Sequence, residues 1–324
     1  MLVVRGIEVS TRIVHVEKLE LSIQISLFAR STILVRLEHR EPDSWKLLLY
    51  DRAGNVYELT RGDKLRFSKP VLAYRACPGN TSLFIEQRGD TILIKRFSEL
   101  CGRPASSMGF CVKHQGSEYQ RYIAYVFGLR RPELDTSLMR IPHMVYALHI
   151  GGSNVKIGIA NGVKNIDRLY EQVFLHATVI AFVTNGVEAR RLEDRLKRVE
   201  KISDRATLSH RLYWIREKQL DLSAQLREYV QIFSKYITSV LSSLGIEMKR
   251  EKPLPVVRFC DKYLDLVRRS AIIAEEAQLD SLEGEFEIVD YAVGGLVLEQ
   301  SSSQRIFVPY SLLRDRALRI AIPR

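Results

Sequence analysis

The stretch from His143 to Glu193 confines the fold more tightly than any other part of the chain. Met144–Ile150 is a near-continuous apolar run, Gly151-Gly152-Ser153-Asn154 is turn chemistry, and Val155–Ile159 is a second short apolar run, so the segment reads as a buried hairpin. Ile166, Leu169 and Val173 then recur at helical spacing behind Asn165, an N-cap residue, which predicts a helix over Asn165–Phe174 with Arg168 off its buried stripe. Ala177–Val183 is an apolar strand ended by Asn185-Gly186. Ala189, Leu192, Leu196 and Val199 mark one face of a second helix, with Glu193 at the edge of that face. The order is β-β-α-β-α, a compact α+β unit with short connections.

Register decides which side chains of the hairpin meet. A three-residue loop of Gly151–Ser153 pairs Ile150 with Asn154 and puts Lys156 on the same sheet face as Tyr146. A two- or four-residue loop separates them, because side chains alternate along a strand. We expect the first.

Before this unit, runs at Leu21–Phe28, Thr32–Leu37, Lys46–Tyr50, Val56–Leu59, Leu83–Gln87 and Thr91–Ile94, punctuated by turn residues, predict a β-rich sandwich or barrel over 1–98. A connecting segment, 99–142, follows. It carries Cys101 and a Cys-x-x-His pair, Cys111 and His114; with Cys77 these make four candidate ligands of a zinc ion, since two ligands on one tight turn suit a tetrahedral cation. After the 143–205 core comes a helical region, 206–280. In it Arg211 and Arg216 flank Tyr213-Trp214, a pattern that can hold phosphates while stacking on bases. A stripe from Leu222 to Leu244, ending at Gly245, predicts an amphipathic helix that packs on the protein or joins a second copy in a homodimer or larger assembly. Lys252–Pro255 breaks it, and Phe259–Ala277 reads as one further helix. Alternating runs in 281–324 predict a small C-terminal β cap.

The formal charge of +11 is unevenly placed. Residues 1–250 hold 39 Lys and Arg against 26 Asp and Glu, while residues 251–324 hold 10 against 12, so the basic excess belongs to the first two thirds and points to a polyanion such as DNA or RNA. No apolar run reaches the roughly 18 residues of a membrane span, so no membrane partner is expected. Four cysteines in a chain of 324 residues do not make a secreted disulfide framework, which places the protein in the cytoplasm.

The core resembles that of the GIY-YIG nuclease superfamily. Tyr146 sits where that family has its first-strand tyrosine, and Lys156-Ile157-Gly158 stands at the second tripeptide with Lys in place of Tyr. The family's opening glycine is absent, with Val145 before Tyr146. An arginine on the next helix and a glutamate on the one after follow in the family's order. From about Cys101 onward the chain is also similar to a prokaryotic family of unknown function assigned to that superfamily, which shares a C-G-R segment and a Glu-Gln pair on the first helix, here Glu171-Gln172, and has more cysteines in its leading segment.

The resemblance implies phosphodiester chemistry, in which positioning and charge neutralisation lower the barrier. Glu193 would hold Mg²⁺ or Mn²⁺, Tyr146 would orient the attacking water beside Lys156, and Arg168 would grip the non-bridging oxygens. His149 would move a proton if the register puts it on that face. Arg190, Arg211, Tyr213, Trp214 and Arg216 would contact the nucleic acid. Two functions of different class follow: a divalent-metal-dependent endonuclease on DNA or RNA, and a non-catalytic nucleic-acid-binding protein that keeps the fold as a phosphate-gripping scaffold.

Overall fold

The computed structural model describes residues 1–26, 29–88, 91–126, 136–151, 154–161, 167–199, 207–217, 227–234, 254–259 and 261–323. The fold is α+β and rich in strand. The N-terminal half opens with a long hairpin, β1 (Leu2–Ser26) and β2 (Ala29–Tyr50), in place of several short strands. Leu2, Val4, Ile7 and Val9 join the core at the start of β1, whereas Ile13, Val14 and Val16 are exposed, and register shifts between Val4 and Gly6, Ser10 and Thr11, and Ile13 and His15 interrupt the ladder. β3 (Val56–Leu59) pairs with β2, and β4 (Lys64–Arg75), a strand the sequence reading omits, alternates buried and exposed residues at its start. β5 (Asn80–Arg88) and β6 (Thr91–Glu99) form a separate two-stranded sheet.

The connecting segment contains a helix, α1 (Glu118–Val126), whose Tyr122 and Tyr125 are buried. Then come β7 (His143–Gly151), β8 (Asn154–Asn161), α2 (Asp167–Tyr170), β9 (His176–Val183) and α3 (Gly186–Val199), the β-β-α-β-α order expected. Asn165 and Ile166, the expected start of α2, lie outside the described residues. α4 (Leu208–Glu217) and α5 (227–234) follow; the remainder of the 222–244 stripe and Gly245 lie outside the described residues.

Leu254–Pro255, read as part of a break, begins β10 (Leu254–Arg258), which runs parallel to β2 and antiparallel to β9. The single helix expected over Phe259–Ala277 is instead α6 (Asp261–Arg268), β11 (Ala271–Ile272) and α7 (Glu276–Asp280). The interruption is tertiary in origin: Ala271 and Ile272 pair with β14 (Arg305–Pro309). β12 (Gly284–Ala292), β13 (Gly295–Gln300), α8 (Tyr310–Leu313) and β15 (Arg316–Ala321) complete the described chain.

Twelve strands join in one path, β11-β14-β13-β12-β4-β15-β1-β2-β10-β9-β7-β8, with β3 attached to β2. The sheet therefore crosses the boundaries suggested by composition: β4 pairs with both β12 and β15, and β10 bridges β2 to β9. Val4, Leu47, Leu65, Leu298, Val308 and Ile320 all border one small cavity, so the terminal segments share a core. At the other end β7, β8 and β9 carry helices on both faces. Met144, Tyr146 and Leu148 pack with Leu169 and Phe174 near α2 and with Leu212 and Ile215 of α4. Val145, Ala147, Val155, Ile157 and Ile159 pack with Ala189, Leu192 and Leu196 of α3.

A basic cleft beside a cysteine and histidine cluster

Lys156 and Tyr146 share a sheet face, as expected, but by a different route. Gly151 pairs directly with Asn154, which leaves only residues 152–153 between them, and a bulge at Ile150 inserts the residue that restores parity, so that Leu148 faces Lys156 and Tyr146 faces Gly158. Gly158 is required by this pairing. A Cβ there would lie 2.5 Å from Tyr146 Oη, so the phenol crosses the strand where no side chain stands.

Gln172, just beyond α2, connects the two residues. Its Nε2 donates to Tyr146 Oη at 3.0 Å, and its Oε1 accepts from Lys156 Nζ at 2.9 Å. Arg168 donates to Glu171, whose carboxylate also lies 3.5 Å from Arg314 at the end of α8. Tyr291 of β12 donates to the Tyr170 carbonyl oxygen and ties α2 to the C-terminal strands. Glu171, Gln172 and Arg314 carry no local signal of a role in the sequence. Gln172 and Glu171 were named only as a family feature, and Arg314 is brought in by a strand pairing that local pattern does not reveal.

Glu193 is elsewhere. It stands on α3, which covers the opposite face of β7–β9, and is 4% exposed. Arg190 and Lys197, one helical turn away on either side, each donate to it at 2.7 Å. A carboxylate already shared by two cations and separated from Tyr146 by the sheet is not placed to hold Mg²⁺ or Mn²⁺ beside that phenol. Arg190 belongs to the same cluster and donates to the Val126 carbonyl at 3.2 Å, so it joins α3 to α1 rather than facing the cleft. His149 is on that far face too, by strand alternation. It stacks on His176 and Tyr229 with ring centroids 5.6 and 5.3 Å away, which removes it from proton transfer at Tyr146.

Lys156, Arg168, Glu171 and Gln172 line one side of a cleft of about 1270 Å³. Arg211 of α4 lines it as well, and burial lowers its pKa, with Arg168 adding to that effect and Tyr146 opposing it. Arg75, Arg121, Arg314 and Arg316 bring the cationic side chains in the wall to seven, against two carboxylates, Glu171 and Asp315. Of the expected nucleic-acid contacts only Arg211 is there. Trp214 lies against Gly151 and donates from Nε1 to His210 at 3.2 Å, while Tyr213 and Arg216 are exposed on α4 outside the cleft wall.

The four expected ligands of a metal ion do come together. The ligating atoms of Cys77, Cys101, Cys111 and His114 all lie within 4.8 Å of one another. Cys77 Sγ and Cys111 Sγ are each 3.5 Å from His114 Nδ1, and Cys101 Sγ is 3.7 Å from Cys111 Sγ. A tetrahedral ion with bonds of about 2.3 Å to sulfur and about 2.05 Å to nitrogen has edges of roughly 3.8 and 3.6 Å. The separations match those edges, so the cluster can bind a metal such as zinc.

Local chain geometry makes the cluster. Cys77 N–H donates to the Arg103 carbonyl and Gly102 N–H to the Cys77 carbonyl, while His114 and Gln115 N–H turn back onto the Cys111 carbonyl. Gly79 takes φ +85°, and a Cβ there would lie 1.7 Å from the Glu99 carbonyl oxygen, so only glycine lets the Cys77 and Cys101 segments close. His114 Nε2 faces Glu99 Oε2 at 3.4 Å, the outer carboxylate that fixes the orientation of a ligating imidazole. Burial pushes the Cys77 thiol up to about 12. A dication reverses that preference by holding the thiolate. Pro78, Gly109 and Phe110 border both this knuckle and the cleft.

Among the described residues no helix is long and apolar enough to cross a membrane. Comparison with curated proteins and with solved structures finds no match. A family model, described as a protein of unknown function, DUF2797, matches residues 124–293, the span from the end of α1 to the turn after β12. That span contains Tyr146, Lys156, Arg168, Glu171 and Gln172 and more than half of the chain, and the protein therefore belongs to the DUF2797 family.

Proposed function

We propose that the protein binds nucleic acid, DNA or RNA, in this cleft and uses the β7-β8-α2-β9-α3 unit, which resembles the GIY-YIG core, as a platform that grips phosphates. One observation carries the reading: seven cationic side chains against two carboxylates around one cleft, with Glu171 shared between Arg168 and Arg314. A positive concave surface with low-dielectric walls concentrates polyanions. The metal is assigned as zinc on the three-sulfur, one-nitrogen donor set and its tetrahedral edges. Cys77, Cys101, Cys111 and His114 would hold it, and it would staple the wall formed by Pro78 to Phe110. A cytoplasmic location, where thiols stay reduced, is part of the same proposal.

A hydrolytic reading is favoured by a single feature, the convergence of Tyr146 and Lys156 on Gln172 beside Arg168. It lacks the Glu193 carboxylate on that face. Incubating the protein with labelled single strands, branched DNA and structured RNA, with Mg²⁺ or Mn²⁺ and with chelator, separates the two. Salt-sensitive binding without cleavage, weakened in Lys156→Ala and Arg211→Ala, supports the binding reading. Metal-dependent cleavage lost in Arg168→Ala establishes the hydrolytic one.

A further inference from the structure

The cleft lining combines two chemistries. Lys156, Arg168, Arg211 and Arg314 supply cations from β8, α2, α4 and the end of α8. Met108, Phe110, Tyr119 and Ile123, from the knuckle and α1, add apolar and aromatic surface, with Arg75 beside Gly109 and Arg121 on α1 among them. Met108 is 56% exposed. Tyr119 is half-buried, its ring packed edge-on to Phe110 at 6.0 Å and parallel to Tyr122 at 6.5 Å, so two aromatic neighbours and the knuckle hold it rigid at the cleft margin.

A duplex presents sugars and phosphates outward and keeps its bases in the stack, so apolar and aromatic surface set among the cations gains little from it. An unpaired strand offers both surfaces at once: phosphates for the cations and exposed base faces for a ring and a thioether. Size points the same way. The cleft, about 1270 Å³, exceeds the roughly 300–1000 Å³ typical of small-molecule sites, and its cations outnumber its carboxylates by five, more than one phosphate needs.

We infer that the ligand is single-stranded nucleic acid, its backbone along Lys156, Arg168 and Arg211 and its bases against Tyr119 and Met108. The inference rests on the proposed function and narrows its ligand class. Fluorescence anisotropy of a labelled mixed-sequence oligonucleotide, as RNA, as DNA and as each annealed duplex, tests it on the full chain. Wild-type protein binds at least one single strand roughly tenfold more tightly than its duplex, and the RNA and DNA arms identify which. Tyr119→Leu, which keeps apolar volume but removes the π-face, weakens single-strand binding roughly five- to tenfold, as loss of one stacked base requires, and leaves duplex binding unchanged. Met108→Ser, at an exposed position with no core to disrupt, moves affinity in the same direction. Equal affinity for strand and duplex, or insensitivity to both substitutions, overturns the inference while Lys156-dependent binding leaves the proposed function standing. Absence of binding to every nucleic acid overturns both.

Discussion

Glu193 and Tyr146 stand on opposite faces of the same three strands, the carboxylate on α3 and the phenol beneath α2 and α4. The carboxylate serves Arg190 and Lys197. Glu193→Gln therefore leaves nucleic-acid affinity unchanged and lowers stability by about 1–2 kcal/mol, because an amide keeps one acceptor but turns a donor toward the second cation. Paired anisotropy and urea-unfolding measurements check it.

Glu171 has the opposite character. Its carboxylate, buried beside Tyr291 and Tyr310, holds Arg168 and Arg314 together, so removal takes the carboxylate from Arg168 and leaves Arg314 with Asp315, 3.4 Å away. Glu171→Ala costs about 3 kcal/mol of stability and weakens ligand binding as well, since α2 and α8 no longer present their arginines to one cleft. Chemical denaturation and a binding titration on one preparation read both effects.

The knuckle predicts one zinc per chain by elemental analysis of protein purified without added metal. Cys111→Ser removes it and lowers the melting temperature by several degrees, whereas substitution of exposed Val112 on the same turn does neither.

A pH prediction follows from the far face of the sheet. Burial, with His149 beside it and Arg258 of β10 and His39 of β2 adding to the effect, pulls His176 down to about 3, so it is neutral in the folded protein at pH 7. The unfolded chain takes up that proton near pH 6.5 while the folded chain does not. Stability is therefore full above pH 6.5 and falls as pH drops toward 3, by about 2 kcal/mol at pH 5 from this residue alone. Burial shifts His143 and His39 the same way and steepens the loss. Unfolding midpoints across this range, flattened in His176→Gln, test it.

The parts of this architecture legible in the sequence are those written locally. The apolar run of β7, the turn after it and the 3.6-residue stripe of α3 carry their own period, and Cys111-Val112-Lys113-His114 carries a ligand pair on one turn. Parity of the hairpin was expected correctly for the wrong loop, because a bulge at Ile150 has no composition signal. Glu193 sat at the edge of a buried stripe, and periodicity gives the edge without saying which sheet face the helix covers. β10 was hidden by Pro255, and the split between α6 and α7 by the fact that β11 exists only through its pairing with β14. The cleft needed Arg75, Arg121, Arg168 and Arg314 to be gathered from β4, α1, α2 and α8, which sheet topology does and sequence spacing does not.

The central claim is that phosphates are neutralised inside the cleft, and the salt dependence of binding measures it most directly. Affinity for a labelled single strand, recorded from low to moderate salt, should fall with a log–log slope of about −0.7 for each phosphate neutralised, and Lys156→Ala with Arg211→Ala should make that slope shallower by about 1.4. A slope near zero in the wild type, or the same steep slope in the double variant, would place the binding surface elsewhere and contradict the account.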